Sequence, residues 1–275
     1  MKVLGVDFSS APTARKPITC AWGELAAAGR LDITAMVACA TLDDFAAQLQ
    51  AHGPWIGAFD FPFGLPRELV ETLGWPSRGK NLWPRLIRHY AALSRKEIRA
   101  AFKDFCDARP AGSKFAHRAF DRAANSSPSM KWVNPPVAYM LHAGAPLLLA
   151  GGVSIPGMHQ GDHTRIALEG YPALVARSVI GAASYKSDEK VKQTPERTER
   201  RRDIVGALKS GQHALGIKTR FACGDPIAMI EDGTADRLDA VLCCMQAAWA
   251  AQQPGYGLPA KIDPVEGFII TVPHG

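Results

Sequence analysis

The sequence predicts an α/β protein whose core runs β-β-β-α-β into a mixed sheet flanked by helices, with a mostly helical insertion. Three observations carry that expectation. Val3, Leu4 and Val6 form a short apolar run that contains Asp7 and breaks at Ser9-Ser10-Ala11-Pro12. The stretch PWIGAFDFPFGL at 54–65 repeats the pattern, with Asp60 ahead of Pro62 and Gly64. Between the two lie strand-like runs and one amphipathic helical segment. An ionised carboxylate left unpaired in an apolar setting costs several kcal/mol or more, roughly, so such a group has a cation or strong donors beside it. A single strand-end acid is ordinarily a side chain pointing to solvent. Two of them, each with a turn behind it, read as halves of one site, and open α/β sheets hold ligands at the carboxyl ends of their strands.

Taken in order, residues 17–40 read as two strands around a turn near Gly29-Arg30, and with residues 2–8 they make a three-stranded antiparallel unit. Over 42–50, Leu42, Phe45, Ala46 and Leu49 fall at helical spacing, with Thr41 as N-cap and Asp43 and Asp44 in the first turn. His52-Gly53-Pro54 ends that helix, and 55–61 is the strand carrying Asp60. The helical insertion occupies about 66–150, interrupted at 77–81, 108–114 and 125–136, and is basic on its exposed face. Residues 137–152 are apolar and belong to the core. Residues 164–168 form a strand leading to Glu169-Gly170-Tyr171-Pro172, a third strand-end acid, and 173–180 a short helix. Residues 184–202 read as a charged loop entering a helix. A late helix starting near Thr234 carries Asp236 and Asp239 at i, i+3, on one face. Ala240, Leu242, Cys243, Ala247 and Ala248 give that helix a small-residue packing surface, and EGFIITVP reads as a last strand. No internal repeat is present, so the expectation is one domain over 1–275.

Hydrophobic content of 47% and charged content of 21% belong to a globular chain and exclude a disordered one. No apolar run reaches the ~20 residues of a membrane span. The N-terminus enters a strand without a signal-peptide h-region, which predicts a cytoplasmic protein without a membrane partner. Six scattered cysteines without a CxxC predict reduced thiols. His159 and His163 stand at i, i+4, but Gly157 and Gly161 oppose the helix that zinc binding would need. The net charge of +6 leans towards an anionic partner, and its Lys and Arg concentrate in 78–122 and 186–202. Arg85, Arg88, Arg95, Arg197, Arg200 and Arg201 are the candidate contacts to a nucleic-acid backbone, although ordinary solvation of helix surfaces is the better explanation for any one of those in the insertion, and a solvated loop and helix face the alternative for 184–202.

Asp7, Asp60, Asp236 and Asp239 make a four-carboxylate set. Mg²⁺ and Mn²⁺ prefer carboxylate and water oxygens, and a pair of such ions clamps the attacking and leaving oxygens of phosphodiester hydrolysis. The element order and the acid placement resemble the ribonuclease H-like fold. More closely, GVDFSSAP, the second strand from KPI to AWG, FDFPFGLP, EGYPALVAR with a following YK, and DRLDAVLCCMQAAWAA resemble the DUF429 family, described as predicted ribonuclease H-like nucleases. The resemblance runs from residue 3 to about 270 and is weakest over 77–160. It implies Asp7, Asp60 and Asp239 as metal ligands and catalytic groups, Asp236 as a fourth, and a Mg²⁺- or Mn²⁺-dependent nuclease. Glu169, Ser9 and Lys186 are possible accessory residues.

Two other readings stand beside it. Sugar kinases and actin-like ATPases share such a core; Glu231-Asp232-Gly233-Thr234 and Gly151-Gly152-Val153-Ser154 faintly echo their phosphate and adenosine loops. Against this, the first turn is Ser-Ser-Ala-Pro rather than glycine-rich, and the core is not duplicated. The third reading is a basic, non-enzymatic binding module, for which four clustered acids would have no use.

Overall fold

The computed structural model describes residues 1–26 and 29–273. The strands are β1 (Lys2–Asp7), β2 (Ile18–Leu25), β3 (Leu31–Cys39), β4 (Trp55–Asp60), β5 (Val153–Ser154), β6 (Asp162–Glu169) and β7 (Thr219–Phe221). The first six helices are α1 (Leu42–Leu49), α2 (Arg67–Thr72), α3 (Leu82–Ala91), α4 (Arg95–Asp107), α5 (Asp121–Ala124) and α6 (Val137–Gly151). They are followed by α7 (Pro172–Ile180), α8 (Pro195–Ser210), α9 (Ile227–Glu231) and α10 (Asp236–Ala250). The protein is therefore α/β, with β-β-β-α-β as its first five elements. It divides into two compact units, one made of 1–60 and 170–257 and the other of 61–169 and 258–275. The second unit is wider than the expected insertion, because it takes in β5, β6 and the tail.

The first unit is built on a mixed sheet in the order β4-β1-β2-β3-β7. β1 runs antiparallel to β2 and parallel to β4, so Asp7 pairs in register with Asp60. β3 is antiparallel to β2 and parallel to β7. Thr41 caps α1 as its sequence requires: its hydroxyl accepts from the Asp44 amide while the Asp44 carboxylate accepts from the Thr41 amide. The turn expected near Gly29-Arg30 has Gly29 at φ 72°, while 27–28 lie outside the described residues.

Helix α10 packs on β1, β2 and β4. Its residues from Leu238 to Ala248 are all buried, which its small and apolar composition permits. The approach to β1 is close enough to require glycine: a Cβ on Gly5 would lie 2.0 Å from the Ala240 carbonyl oxygen and 2.1 Å from the Cys244 nitrogen. That contact fixes how far the first turn of α10 stands from the carboxyl end of β1.

The second unit holds α2–α6 with β5 and β6. Its aromatic core gathers Trp75, Tyr90 and Phe102. The tail belongs to it but forms no strand, contrary to the expectation for EGFIITVP. Ile269 makes one bridge to Glu169, and Gly267 (φ 77°) and Thr271 (φ 68°) turn the chain on either side of it. The Glu266 carboxylate holds the tail by accepting from the amides of Arg67 and Ala119. No helix among the described residues is long and apolar enough to cross a membrane.

Candidate metal centre

Parallel strands set side by side stand ~4.8 Å apart, and residues in register point to the same face. β1 and β4 therefore place Asp7 and Asp60 next to each other at their carboxyl ends. Helix α10, drawn onto β1 at Gly5, brings the fully buried Asp239 to the same place. One oxygen from each of Asp7, Asp60 and Asp239 lies within 4.8 Å of the others. Among the described residues these are the only three metal-ligating side chains so arranged.

The three carboxylates raise an electrostatic problem. Two full charges ~5 Å apart repel by roughly 3 kcal/mol at an effective dielectric of ~20. The Asp7 carboxyl is pushed well above its ordinary range, first by burial and then by Asp239, Asp60 and Asp236, with Lys186 opposing. Asp239 is compensated locally. The Tyr185 hydroxyl donates to its Oδ1 at 2.5 Å, and the Lys186 ammonium pairs with its Oδ2. Desolvation works to lower the Lys186 ammonium, but Asp239, Tyr185, Asp7 and Asp60 together hold it well above its ordinary value. Burial and the neighbouring Asp239 likewise raise the Tyr185 phenol, so it remains a donor.

Asp236 lies one turn earlier on α10 and is not among the three converging acids. Its carboxyl is raised by burial and then by Asp232, with Lys16 opposing. Ser9 sits in the turn after β1, where its hydroxyl accepts from the Ala11 amide at 3.4 Å. Glu169 ends β6 in the second unit. Both its oxygens accept from the Arg118 guanidinium, at 2.7 and 2.8 Å, and one also accepts from the Phe63 amide.

The arginines divide into distinct groups. Arg85, Arg88 and Arg95 are exposed on α3 and α4 of the second unit. Arg197 and Arg200 lie on the first turns of α8, and the Arg200 guanidinium donates to the Ser184 carbonyl. Arg201 differs from the exposed contact expected of it. It is 2% exposed, and its guanidinium donates to the carbonyls of Ile230 and Tyr185 and to the Thr198 hydroxyl. It fixes the backbone that presents Tyr185 and Lys186 to Asp239. Its signal was present in the sequence: Arg201, Ile204, Val205 and Leu208 form an i, i+3, i+4, i+7 stripe, and all are buried.

The faint phosphate-loop echo at 231–234 resolves into a local turn. The Asp232 carboxylate accepts from both the amide and the hydroxyl of Thr234. Gly151-Gly152 closes α6, with Gly152 at φ 66°. His159 stacks on Trp83 at 5.6 Å between ring centroids, and all six cysteines are free thiols.

Three carboxylate oxygens within one ion's reach fit a hard divalent cation such as Mg²⁺ or Mn²⁺. Neither sulfur nor imidazole belongs to the set, which disfavours a zinc-type site. No protein-family model, curated protein or solved structure matches the chain.

Proposed function

We propose that this protein is a divalent-metal-dependent phosphodiester hydrolase of the ribonuclease H-like type, acting on DNA or RNA. One observation carries the reading: Asp7, Asp60 and Asp239 converge to within 4.8 Å from two register-paired parallel strands and one buried helix. The β-β-β-α-β order with a late helix bearing the third acid supports the fold assignment. Bound there, Mg²⁺ or Mn²⁺ supplies Lewis acidity for phosphodiester hydrolysis.

The chain's own residues supply position and charge. Asp7 and Asp60 present oxygens from rigid strand ends. Tyr185 holds the Asp239 carboxylate in one orientation through Oδ1. The Lys186 side chain is 43% exposed and pairs with Oδ2, so it can turn from Asp239 to an incoming phosphate oxygen. Acids alone repel a polyanion, and the 186–202 segment brings positive charge to them through Lys186. The kinase reading gains no support from the turn at 231–234, where the Thr234 amide and hydroxyl donate to Asp232.

The test incubates the purified protein with labelled branched DNA, linear duplex and single-stranded RNA in Mg²⁺ or Mn²⁺. The expected result is metal-dependent cleavage of at least one substrate, lost in Asp7→Asn and Asp60→Asn. All three substrates remaining intact in both metals, while calorimetry shows Mn²⁺ bound, would remove the hydrolase and leave only a metal site.

A further inference from the structure

The second unit contains a cavity of ≈ 620 Å³ whose lining includes Lys114, Phe115, His117, Arg118, Arg122 and Lys131. Sequence reading treats these basic residues as solvated surface, yet here they share one concavity. The charges there are unevenly matched. Arg118 is committed to Asp121 and Glu169, and Arg109, which also lines the cavity, is paired with Glu68. Among the described residues, Lys114, Arg122 and Lys131 form no salt bridge. His117 adds a ring nitrogen, Nδ1, that is buried with no hydrogen-bond partner among the described residues. A neutral imidazole nitrogen can donate or accept, so the case for an anion rests on the three cations.

We infer that this cavity binds a multiply charged organic phosphate of nucleotide size. The three surplus cations call for an anion, and more than one charge is needed to match them. Volume argues for an organic body as well. Water occupies about 30 Å³ per molecule, so a bare phosphate would leave most of the space wet. The cavity's size lies within the ~300–1,000 Å³ typical of small-ligand sites. The Phe115 ring and Pro128 give the lining its apolar portion, against which such a body can lie. Concavity favours a compact ligand over an extended strand, whose phosphates would need a continuous basic groove.

This inference does not depend on the metal centre, and its test is arranged accordingly. Binding of inorganic pyrophosphate, ADP and a single-stranded oligothymidylate is measured by calorimetry in EDTA, with the wild type and with Asp7→Asn. Saturable binding of ADP is expected, tighter than that of pyrophosphate and equal in both proteins. The Lys114→Ala/Lys131→Ala double variant is then compared, since both side chains reach the surface and their truncation spares the core. Losing two charge-assisted contacts should weaken ADP by about tenfold for each, with an unchanged far-UV circular dichroism spectrum. His117→Ala should weaken it by a smaller factor. Failure of both ADP and pyrophosphate to bind overturns the inference, as does ADP binding that the double variant leaves unchanged. Oligothymidylate binding that the double variant abolishes, with no binding of ADP, would overturn it in favour of a polynucleotide track.

Discussion

At Arg118, one buried guanidinium stands between two buried carboxylates, and every oxygen of Asp121 and Glu169 accepts from a donor. Asp121 takes the Arg118 Nε, the Arg118 amide and the Ser126 hydroxyl. Glu169 takes the rest of the guanidinium and the Phe63 amide. At Asp7, Asp60 and Asp239, three carboxylates converge on one another, and the Tyr185 hydroxyl and the Lys186 ammonium both go to Asp239. The first cluster is complete in itself and holds a fold together. The second sets acid against acid at the end of a sheet, where burial and the neighbouring carboxylates raise the Asp7 carboxyl. The difference lies in what each acid faces: Asp121 and Glu169 meet a guanidinium, whereas the Asp7 carboxyl is pushed up by other carboxylates.

The largest expected effect lies in the complete cluster. Removing one partner of a buried ion pair leaves an uncompensated charge and costs about 3–5 kcal/mol. Arg118→Ala should therefore lower the urea midpoint sharply or prevent folding, whereas Asp7→Asn should not. If Arg118→Ala melts like the wild type, the two clusters are not different in kind.

Metal should move only the open cluster. A cation present at 100 times its Kd stabilises the native state by about 2.7 kcal/mol. The wild type should melt higher in saturating Mn²⁺, and Asp60→Asn should lose that gain. An increment that survives Asp60→Asn would place the cation elsewhere.

Gly5→Ala tests how the open cluster is assembled. A methyl 2.0 Å from the Ala240 carbonyl oxygen must push α10 off β1. Overpacking of this kind costs about 1–3 kcal/mol and should weaken Mn²⁺ binding, although Gly5 touches no metal. Unchanged Mn²⁺ affinity in a stably folded variant would refute the helix–strand approach as the device that positions Asp239.

These tests also bear on what the sequence made legible. Asp7 and Asp60 stand out because an acid closing an apolar run before a turn is uncommon, and register then joins them. Asp239 was legible from the small residues that follow it, which predict a helix packed tightly on a sheet. Asp236 shares that helix but sits roughly 4.5 Å further along its axis, beside Asp232 and opposite Lys16. An i, i+3 spacing supplies a common face, not a common depth. Arg118 and Arg201 were hidden by composition, since each lies in a basic stretch that reads as solvated surface. Their burial depends on partners distant in sequence, Glu169 for one and the Ile230 carbonyl for the other. The tail misled because four apolar residues satisfy the strand pattern while positive φ at Gly267 and Thr271 cannot be read from it.

A pH titration separates the clusters further. Asp7 has its folded pKa raised, so the folded protein binds more protons than the unfolded chain between the ordinary value near 4 and the raised one. The stability Asp7 contributes is fully present below the unfolded pKa and is lost as pH rises through the folded pKa, at about 1.4 kcal/mol per pH unit within that window. Glu169, raised mainly by burial against the pull of Arg118, adds a slope of the same sign. The diagnostic quantity is therefore the difference between wild type and Asp7→Asn without metal, which should grow in favour of the variant as pH rises. A difference that stays flat across the window would mean that Asp7 is not strained.

The smallest effect expected is at Lys186, and it has two opposite parts. The ammonium pairs with Asp239 and is drawn by Asp7 and Asp60 as well, so Lys186→Met should destabilise the metal-free protein. Its side chain is 43% exposed, however, and solvent screening holds such a pair to about 1 kcal/mol or less. The same ammonium occupies Asp239 Oδ2, so it competes with any ion that uses that oxygen. Removing it should tighten Mn²⁺ binding several-fold, while Tyr185 still orients Oδ1. Thermal melting without metal and calorimetric Mn²⁺ titration read the two parts separately. A lower melting temperature together with a tighter Kd identifies Lys186 as a stand-in for the cation that leaves when the ion arrives. A lower melting temperature with a weaker Kd would make it part of the binding geometry, and the open cluster would then hold its ion only with the lysine in place.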